Sequence, residues 1–350
     1  MNTTRLRRGM KSPVLVANRI DWNRDYSATN VGHLLAMTKS ELATVDPLAM
    51  NLIVAKEIST LASLDIAEYQ ATVNAWTNDF RSRCLPYWER FFHEAPQDFR
   101  NDIRYFRFGT VGQYLDLEVG IAYNRDQRNV KSIRYENPSD LFLNGIIDTN
   151  EGTCGNMAAL HVAMGWRLGW PVSLACIDSH YICRYDDGDT IFNLESTDTG
   201  RGGWSAPDDE RLIERDDISS RALACGCDLR ALTAREMLGC FIGLRARHTQ
   251  DIGMLQRDDS LRLLAEQDWL LARYLFPTQR VFYKNQMAVS AMRGERCFDS
   301  DEDGHPITFA DFLHESYSRH PVTVAEYADP IDDPMIDLAA VNAIFTSLGS

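Results

Sequence analysis

The sequence has no long hydrophobic run, and the apolar stretch near its start extends only from Val14 to Ala17. A membrane-spanning helix needs about 20 apolar residues, and the core of a signal peptide needs about 7 to 15. The sequence therefore predicts neither a membrane-spanning helix nor a signal peptide. Cysteine is also sparse, with eight among 350 residues, which is too few for a small secreted domain held by disulfides. These absences favour a cytoplasmic protein with reduced thiols.

Basic residues are fewer than acidic residues. The chain has 36 lysines and arginines against 50 aspartates and glutamates, so its formal net charge at neutral pH is -14. Such a surface repels the phosphate backbone of nucleic acids and anionic membranes at long range. We therefore expect neither nucleic acid nor a membrane as a partner.

Hydrophobic periodicity separates helical from strand regions. Apolar residues recur every three or four positions from Asp46 to about Arg90, which predicts packed helices. A helix is predicted over 155–168, because Gly169 and Pro171 would end it. The segments VSLACID, HYICRYD and TIFNLES then alternate with a period of two, which predicts an antiparallel sheet.

Helices return after Asp228, where Thr233 and Glu236 have the spacing of a capping box and a second helix stops at Pro277. The predicted fold class is α+β. The expected organisation is an N-terminal helical region at 1–100, a core at 101–228, a C-terminal helical region at 229–320 and an acidic tail at 321–350.

A candidate nucleophile, Cys154, lies between Gly152 and Gly155 at the start of the predicted helix. The free N–H groups of a helix start lower the pKa of a thiol and can also stabilise an oxyanion. Flanking glycines would let a substrate approach the backbone. Asn150 is the candidate second oxyanion donor, beside the Cys154 N–H. The alternative interpretation is a small buried cysteine without a chemical role.

A histidine and a carboxylate are predicted to meet in the sheet. Asp187-Gly188 is typical of a two-residue hairpin turn, and counting back from it places His180 directly opposite Glu195. Opposed side chains on one face can hydrogen-bond, so Glu195 could orient His180 as the base for a thiol. Asn193 is the reserve candidate for this third role. A surface charge pair remains the alternative.

The order of Cys154 on a helix, then SHYICRYDDG, then NLESTD resembles the transglutaminase-like superfamily. The resemblance implies a papain-like thiol fold, in which a helix packs on an antiparallel sheet, and a catalytic triad of cysteine, histidine and acid. Glu195 stands where the family commonly has aspartate. The helices after Asp228 have a weaker likeness to the helical appendage of some bacterial members.

The family resemblance also implies chemistry on an amide or ester carbonyl through a cysteine thioester. Hydrolysis, as in a protease or amidase, is the favoured reaction, and transfer to an amine is the alternative. A catalytically silent scaffold that binds other proteins is a further alternative. The expected partners are a protein, a peptide or a small amide or ester, with the helical regions available to a protein partner.

Four other features of the sequence bear on possible metal, cofactor or substrate sites. The acidic loop at 299–311 begins like a calcium loop but has Ala310 where the closing carboxylate should stand. Cys225-Gly226-Cys227 lacks a second cysteine pair for a zinc site, and His161 falls on the predicted buried side of its helix. The glycine-rich segment at 198–205 is either a loop bordering the site or a plain connection. No metal or cofactor is predicted.

Overall fold

The computed structural model describes residues 29–128, 133–177, 180–197 and 205–292. The acidic loop at 299–311, the acidic tail at 321–350 and all but the last residue of the glycine-rich segment at 198–205 lie outside the described residues. The described part is a mixed α+β structure, which confirms the predicted fold class at this level.

Helices make up most of the described chain. They are α1 (Val31–Leu35), α2 (Lys39–Leu42), α3 (Pro47–Ala55), α4 (Ile66–Asp79), α5 (Leu85–Glu94), α6 (Ile103–Tyr114), α7 (Leu143–Thr149), α8 (Met157–Arg167), α9 (Asp209–Arg215), α10 (Ser220–Ala224), α11 (Ala234–Gln256), α12 (Asp259–Leu275) and α13 (Arg280–Met292).

Local signals account for several helix boundaries. Asp46 accepts a hydrogen bond from the Leu48 N–H at 2.9 Å, and Pro47 occupies the first turn of α3. The capping box predicted for Thr233 and Glu236 is present at the start of α11. Leu275 ends α12 before the proline that was expected to stop it.

Two small sheets accompany the helices. Strands β1 (Ala122–Tyr123) and β2 (Glu151–Gly152) pair in parallel. Strands β3 (Val172–Ile177), β4 (His180–Asp186) and β5 (Ile191–Leu194) form an antiparallel sheet in the order β3-β4-β5. The antiparallel sheet expected after α8 is thus confirmed.

The predicted hairpin register is wrong by two residues. Asp186 pairs with Ile191 rather than with Asp189, so the connection is a four-residue loop at 187–190. The Asp187 carboxylate accepts from the N–H groups of Asp189 and Thr190, at 3.1 and 2.8 Å, which stabilises the longer loop. Because side chains alternate with a period of two, a two-residue shift leaves every side chain on its predicted face.

Helix α8 lies at the centre of the molecule, and every one of its residues is buried. A helix that is apolar on all sides must be enclosed by other elements. It contacts α3, α4 and α6, and also strands β3 and β4. One continuous hydrophobic cluster joins the N-terminal helices, the antiparallel sheet and helices α11 to α13. No helix in the described ranges is long and apolar enough to cross a membrane.

Candidate active site

Cys154 lies in a capped turn that leads into α8. The Thr153 N–H donates to Asn156 Oδ1 at 2.9 Å, and the Gly155 N–H donates to Thr153 Oγ1 at 3.2 Å. The Met157 N–H donates to the Thr153 carbonyl at 3.0 Å, which is helical spacing. The side chains of Thr153 and Asn156 therefore stabilise the turn at 153–156, which holds Cys154 just before the first residue of α8.

The two glycines that flank the cysteine serve packing rather than substrate access. A Cβ on Gly152 would lie 2.5 Å from Ile146 Cδ1, and one on Gly155 would lie 2.9 Å from Leu141 Cδ2. The space that a side chain would need is already filled by the protein. The expectation that these glycines admit a substrate is therefore corrected.

His180 and Glu195 are brought together, although they are not directly opposed. By extension of the observed register Glu195 lies opposite Ile182, and its long side chain reaches diagonally to His180. Both Glu195 carboxylate oxygens lie 2.9 Å from His180 Nε2. The Glu195 side chain is only 5% exposed, against 26% for His180. This contact is therefore a largely enclosed pair, unlike an ordinary surface pair.

Glu195 is itself held by two further groups. Thr197 donates its hydroxyl to Glu195 Oε1 at 2.7 Å and its N–H to the same oxygen at 3.2 Å. Arg215, on α9, lies 3.4 Å from Oε2. Burial opposes ionisation of Glu195, but the hydrogen bonds and charge of His180 and the bonds of Thr197 outweigh it and lower its pKa to about 2. The carboxylate is therefore ionised near neutral pH.

The Cys154 thiol and the His180 imidazole interact, and each shifts the pKa of the other. Since Glu195 occupies Nε2, Nδ1 is the ring nitrogen left for the thiol. Burial would lower the pKa of His180, but its bonds to Cys154 and Glu195 raise it to about 10. Burial would raise the pKa of Cys154, but His180 outweighs this effect and lowers it. The electrostatics favour a thiolate beside an imidazolium.

Two tyrosines complete the surroundings of the thiol. The Tyr135 hydroxyl lies 3.6 Å from Cys154 Sγ, and burial followed by the charge of Cys154 raises the pKa of this phenol. The Tyr135 backbone is anchored on α11, because its N–H donates to Asp251 at 2.9 Å and its carbonyl accepts from His248 at 2.8 Å. Burial and Cys154 also raise the pKa of Tyr123, to about 12. Both phenols therefore stay protonated as potential donors.

Asn150 and Asn193 occupy other positions. Asn150 ends α7 in the left-handed conformation, and its exposed side chain lies beside Gly120. No contact with Cys154 is recorded for it in the described ranges. Asn193 accepts from Arg184 at 2.6 Å and donates to Asp209 at 2.8 Å. The observed partner of His180 is therefore Glu195 and not the reserve residue Asn193.

His161 is buried, as its position on the helix predicts, but only one ring nitrogen is satisfied. Nδ1 donates to the Met157 carbonyl at 2.8 Å, while Nε2 has no hydrogen-bond partner. Burial lowers the pKa of this imidazole to about 4, so it is neutral. Across the described ranges no group of three or more histidine, cysteine or acidic side chains could hold a metal ion.

Sequence reasoning missed Tyr135, Thr197 and Arg215. Thr197 lies only two residues after Glu195, so this local spacing could have indicated it, whereas Tyr135 and Arg215 reach the site only in the folded chain. The fold and the site together define an α+β protein with a cysteine–histidine–glutamate cluster. No family model matches the chain, and no curated protein or solved structure is significantly similar to it.

Proposed function

We propose that the protein is a cysteine-dependent enzyme of transglutaminase-like type that acts on an amide or ester carbonyl. One observation carries the proposal, namely that His180 contacts Glu195 on one side and the Cys154 thiol on the other. A histidine held in this way is the arrangement that a thiol nucleophile requires. The core at 101–228 is accordingly proposed to be a transglutaminase-like fold.

In the acylation step, Cys154 Sγ attacks the carbonyl carbon and a tetrahedral oxyanion forms. When this intermediate collapses, the carbon–nitrogen or carbon–oxygen bond breaks and His180 gives its proton to the departing amine or alcohol. Cys154 is left as a thioester. Glu195 keeps the ring oriented and stabilises the imidazolium, which is the role of the acid in such triads.

Hydrolysis completes the favoured reaction. His180, now neutral, removes a proton from water as the oxygen attacks the thioester, and the carboxylic acid leaves as Cys154 returns to the thiolate. An amine in place of water would give a new amide. Water is the favoured acceptor because nothing in the sequence marks an amine-binding pocket. If no acylation occurs, the alternative of a catalytically silent scaffold that binds other proteins is favoured.

The proposal is tested with a p-nitrophenyl ester of a short carboxylic acid, followed by intact-protein mass spectrometry and peptide mapping. The wild-type chain should release p-nitrophenolate in a burst and carry the acyl group on Cys154. Cys154→Ala should lose the burst, and His180→Ala should lose nearly as much because residues that act as a unit are non-additive. Glu195→Gln should be milder, because the amide holds the ring but cannot stabilise the imidazolium.

Asn193→Ala and Cys225→Ser are the matched controls, since neither side chain contacts His180 in the structure. Both variants should retain the burst. If Cys154 carried no acyl group, the enzyme proposal would be wrong and the scaffold would be favoured. If Glu195→Gln kept full activity while Asn193→Ala lost it, the third role would belong to Asn193. Adding hydroxylamine then shows whether the acyl group prefers an amine to water.

A further inference from the structure

Two cysteine side chains lie near one another outside the candidate active site, at the end of α10. The Gly226 N–H donates to the Leu223 carbonyl at 3.2 Å, and the Cys227 N–H donates to the Ala222 carbonyl at 3.2 Å. These two bonds form a Schellman motif, in which the chain folds back over the last helical turn. Gly226 takes the left-handed position that the motif requires, with φ of 69°.

The motif brings the side chains of Cys225 and Cys227 to the same carbonyl oxygen. Cys225 Sγ lies 3.4 Å and Cys227 Sγ lies 3.5 Å from one acceptor, the Ala222 carbonyl oxygen. The two thiols also interact electrostatically, and each shifts the pKa of the other. A Cys-x-Cys sequence alone does not predict this meeting, because the intervening residue can adopt conformations that point the thiols apart.

The turn is held in this shape by a neighbouring cation. Arg230 Nε donates to the Gly226 carbonyl at 2.5 Å, and a Cβ on Gly226 would lie 2.7 Å from the same nitrogen. The Leu229 N–H in turn donates to the Cys176 carbonyl of β3 at 3.0 Å. The two thiols are therefore preorganised by the fold.

The two thiols differ in access and in acidity. Cys225 is partly exposed, whereas Cys227 is buried. The hydrogen bond from Cys227 outweighs burial and lowers the pKa of Cys225 to about 6, while it raises the pKa of Cys227. An accessible thiolate beside a protected thiol suits an attacking and a resolving cysteine.

We propose that Cys225 and Cys227 form a thiol–disulfide exchange site that low-molecular-weight disulfides oxidise to an intramolecular disulfide. Cys225 first gives its proton to the solvent, and its thiolate then attacks one sulfur of a disulfide RSSR. The S–S bond breaks and releases RS⁻, which takes up a proton to give one thiol RSH. Cys227 then loses its proton and attacks Cys225 Sγ, which releases the second RSH. Overall the protein loses two electrons and two protons, and RSSR gains them.

The test uses the full chain equilibrated with reduced and oxidised glutathione at a series of ratios, then quenched with acid, alkylated and digested with trypsin. Arg221 and Arg230 bracket the peptide ALACGCDLR, so one peptide contains both thiols. The disulfide form is lighter than the unalkylated dithiol by two hydrogen masses. The folded chain should favour the disulfide at least about tenfold more than the same chain unfolded in guanidinium chloride, or about 30 mV.

Two controls accompany the measurement. Cys227→Ser should stop at the mixed disulfide between Cys225 and glutathione, because the resolving thiol is gone. Cys176 and Cys240 also interact electrostatically but are both buried, so this pair should remain reduced while the chain is folded.

Two results would overturn the proposal. One is a wild-type chain that stays a dithiol or stops at the mixed disulfide, and the other is a disulfide no more favourable in the folded than in the unfolded chain. The proposal does not depend on acyl transfer at Cys154, and the readout at 222–230 is unaffected by whether that reaction occurs.

Discussion

At the residue scale, the cysteines of the described chain differ in the pKa of their thiols. Cys154 and Cys225 have lowered pKa values, and each contacts a hydrogen-bond donor that stabilises its thiolate. Burial instead raises the pKa of Cys84 and Cys183, which have no compensating cation strong enough to reverse it. Only the first two thiols are therefore expected to be reactive near neutral pH.

The first prediction concerns alkylation of Cys154 by iodoacetamide. The sequence alone predicts that Cys154 reacts faster than every other cysteine, but the structure makes Cys225 a competitor. Because His180 lowers the pKa of Cys154, His180→Ala should move the pH profile of Cys154 labelling to higher pH. The profile of Cys225 should stay in place and serves as the internal control. Mass-spectrometric mapping over a pH series measures both.

An unchanged Cys154 profile in His180→Ala would contradict the thiolate–imidazolium pair. Labelling of Cys154 no faster than that of the buried Cys84 in the folded wild-type chain would count against a nucleophile at this position altogether. Cys297, another natural comparison, lies outside the described residues.

At the scale of the element, one buried ion pair positions the helix that follows Cys154. Arg167, in the last turn of α8, pairs with Asp46 at the start of α3, and both side chains are almost fully buried. Arg167 Nε also donates to Asn74 of α4 at 2.8 Å, and Gln70 donates to Asp46 at 3.1 Å. The network connects three helices at the end of α8 opposite to the thiol.

The second prediction is that Asp46→Asn destabilises the protein by about 3 to 5 kcal/mol, because it removes the carboxylate charge that pairs with the buried Arg167 guanidinium. Asparagine can still cap α3, so the change tests the charge rather than the cap. Arg83→Ala is the control, since Arg83 pairs with Asp79 while 58% exposed and should cost no more than about 1 kcal/mol. Urea unfolding measures both. If the two variants lost the same free energy of unfolding, the buried ion pair would contribute no more to the stability of the fold than the exposed one.

At the scale of the whole molecule, the regions distinguished in the sequence share one core. Cys84, Cys183 and Cys240 come from the N-terminal helices, the sheet and α11, and all three belong to the same hydrophobic cluster. Arg245 of α11 pairs with Asp268 of α12 at 2.7 Å and also with Glu57 from the N-terminal helices. The hydrophobic core and the ion pairs therefore both connect the N-terminal region at 1–100 with the C-terminal region at 229–320, which the sequence predicted as separate regions.

The third prediction is that these regions unfold together. After equilibration at increasing urea concentrations and a short pulse of alkylating reagent, Cys84, Cys183 and Cys240 should lose protection at one common midpoint. A continuous core makes partial unfolding costly, although chains of this length often unfold through intermediates. Cys225 should be alkylated at urea concentrations below the unfolding transition, and it serves as the control for a thiol that is accessible in the folded chain. Separate midpoints would mean that the regions are independent folding units.

The sequence by itself determined the features that depend on near neighbours along the chain. Asp46 with Pro47 and Thr233 with Glu236 mark helix starts because their side chains reach backbone groups only two or three residues away. The alternating pattern of β4 and β5 determined which face His180 and Glu195 share. This prediction is correct although the predicted turn was two residues too short. A register shift by an even number of residues leaves each side chain on the same face of the sheet.

Only the tertiary structure decided what depends on contacts between distant segments. Tyr135 reaches Cys154 because α11, more than a hundred residues further along the chain, holds its backbone. Arg104 of α6 donates to Asp187 and to the Thr190 hydroxyl, both at 2.8 Å, and so holds the hairpin loop from a distant segment. Packing against Leu141 explains Gly155. Spacing cannot encode such contacts, since they arise when separate elements bury their apolar faces against one another and bring unrelated side chains into reach.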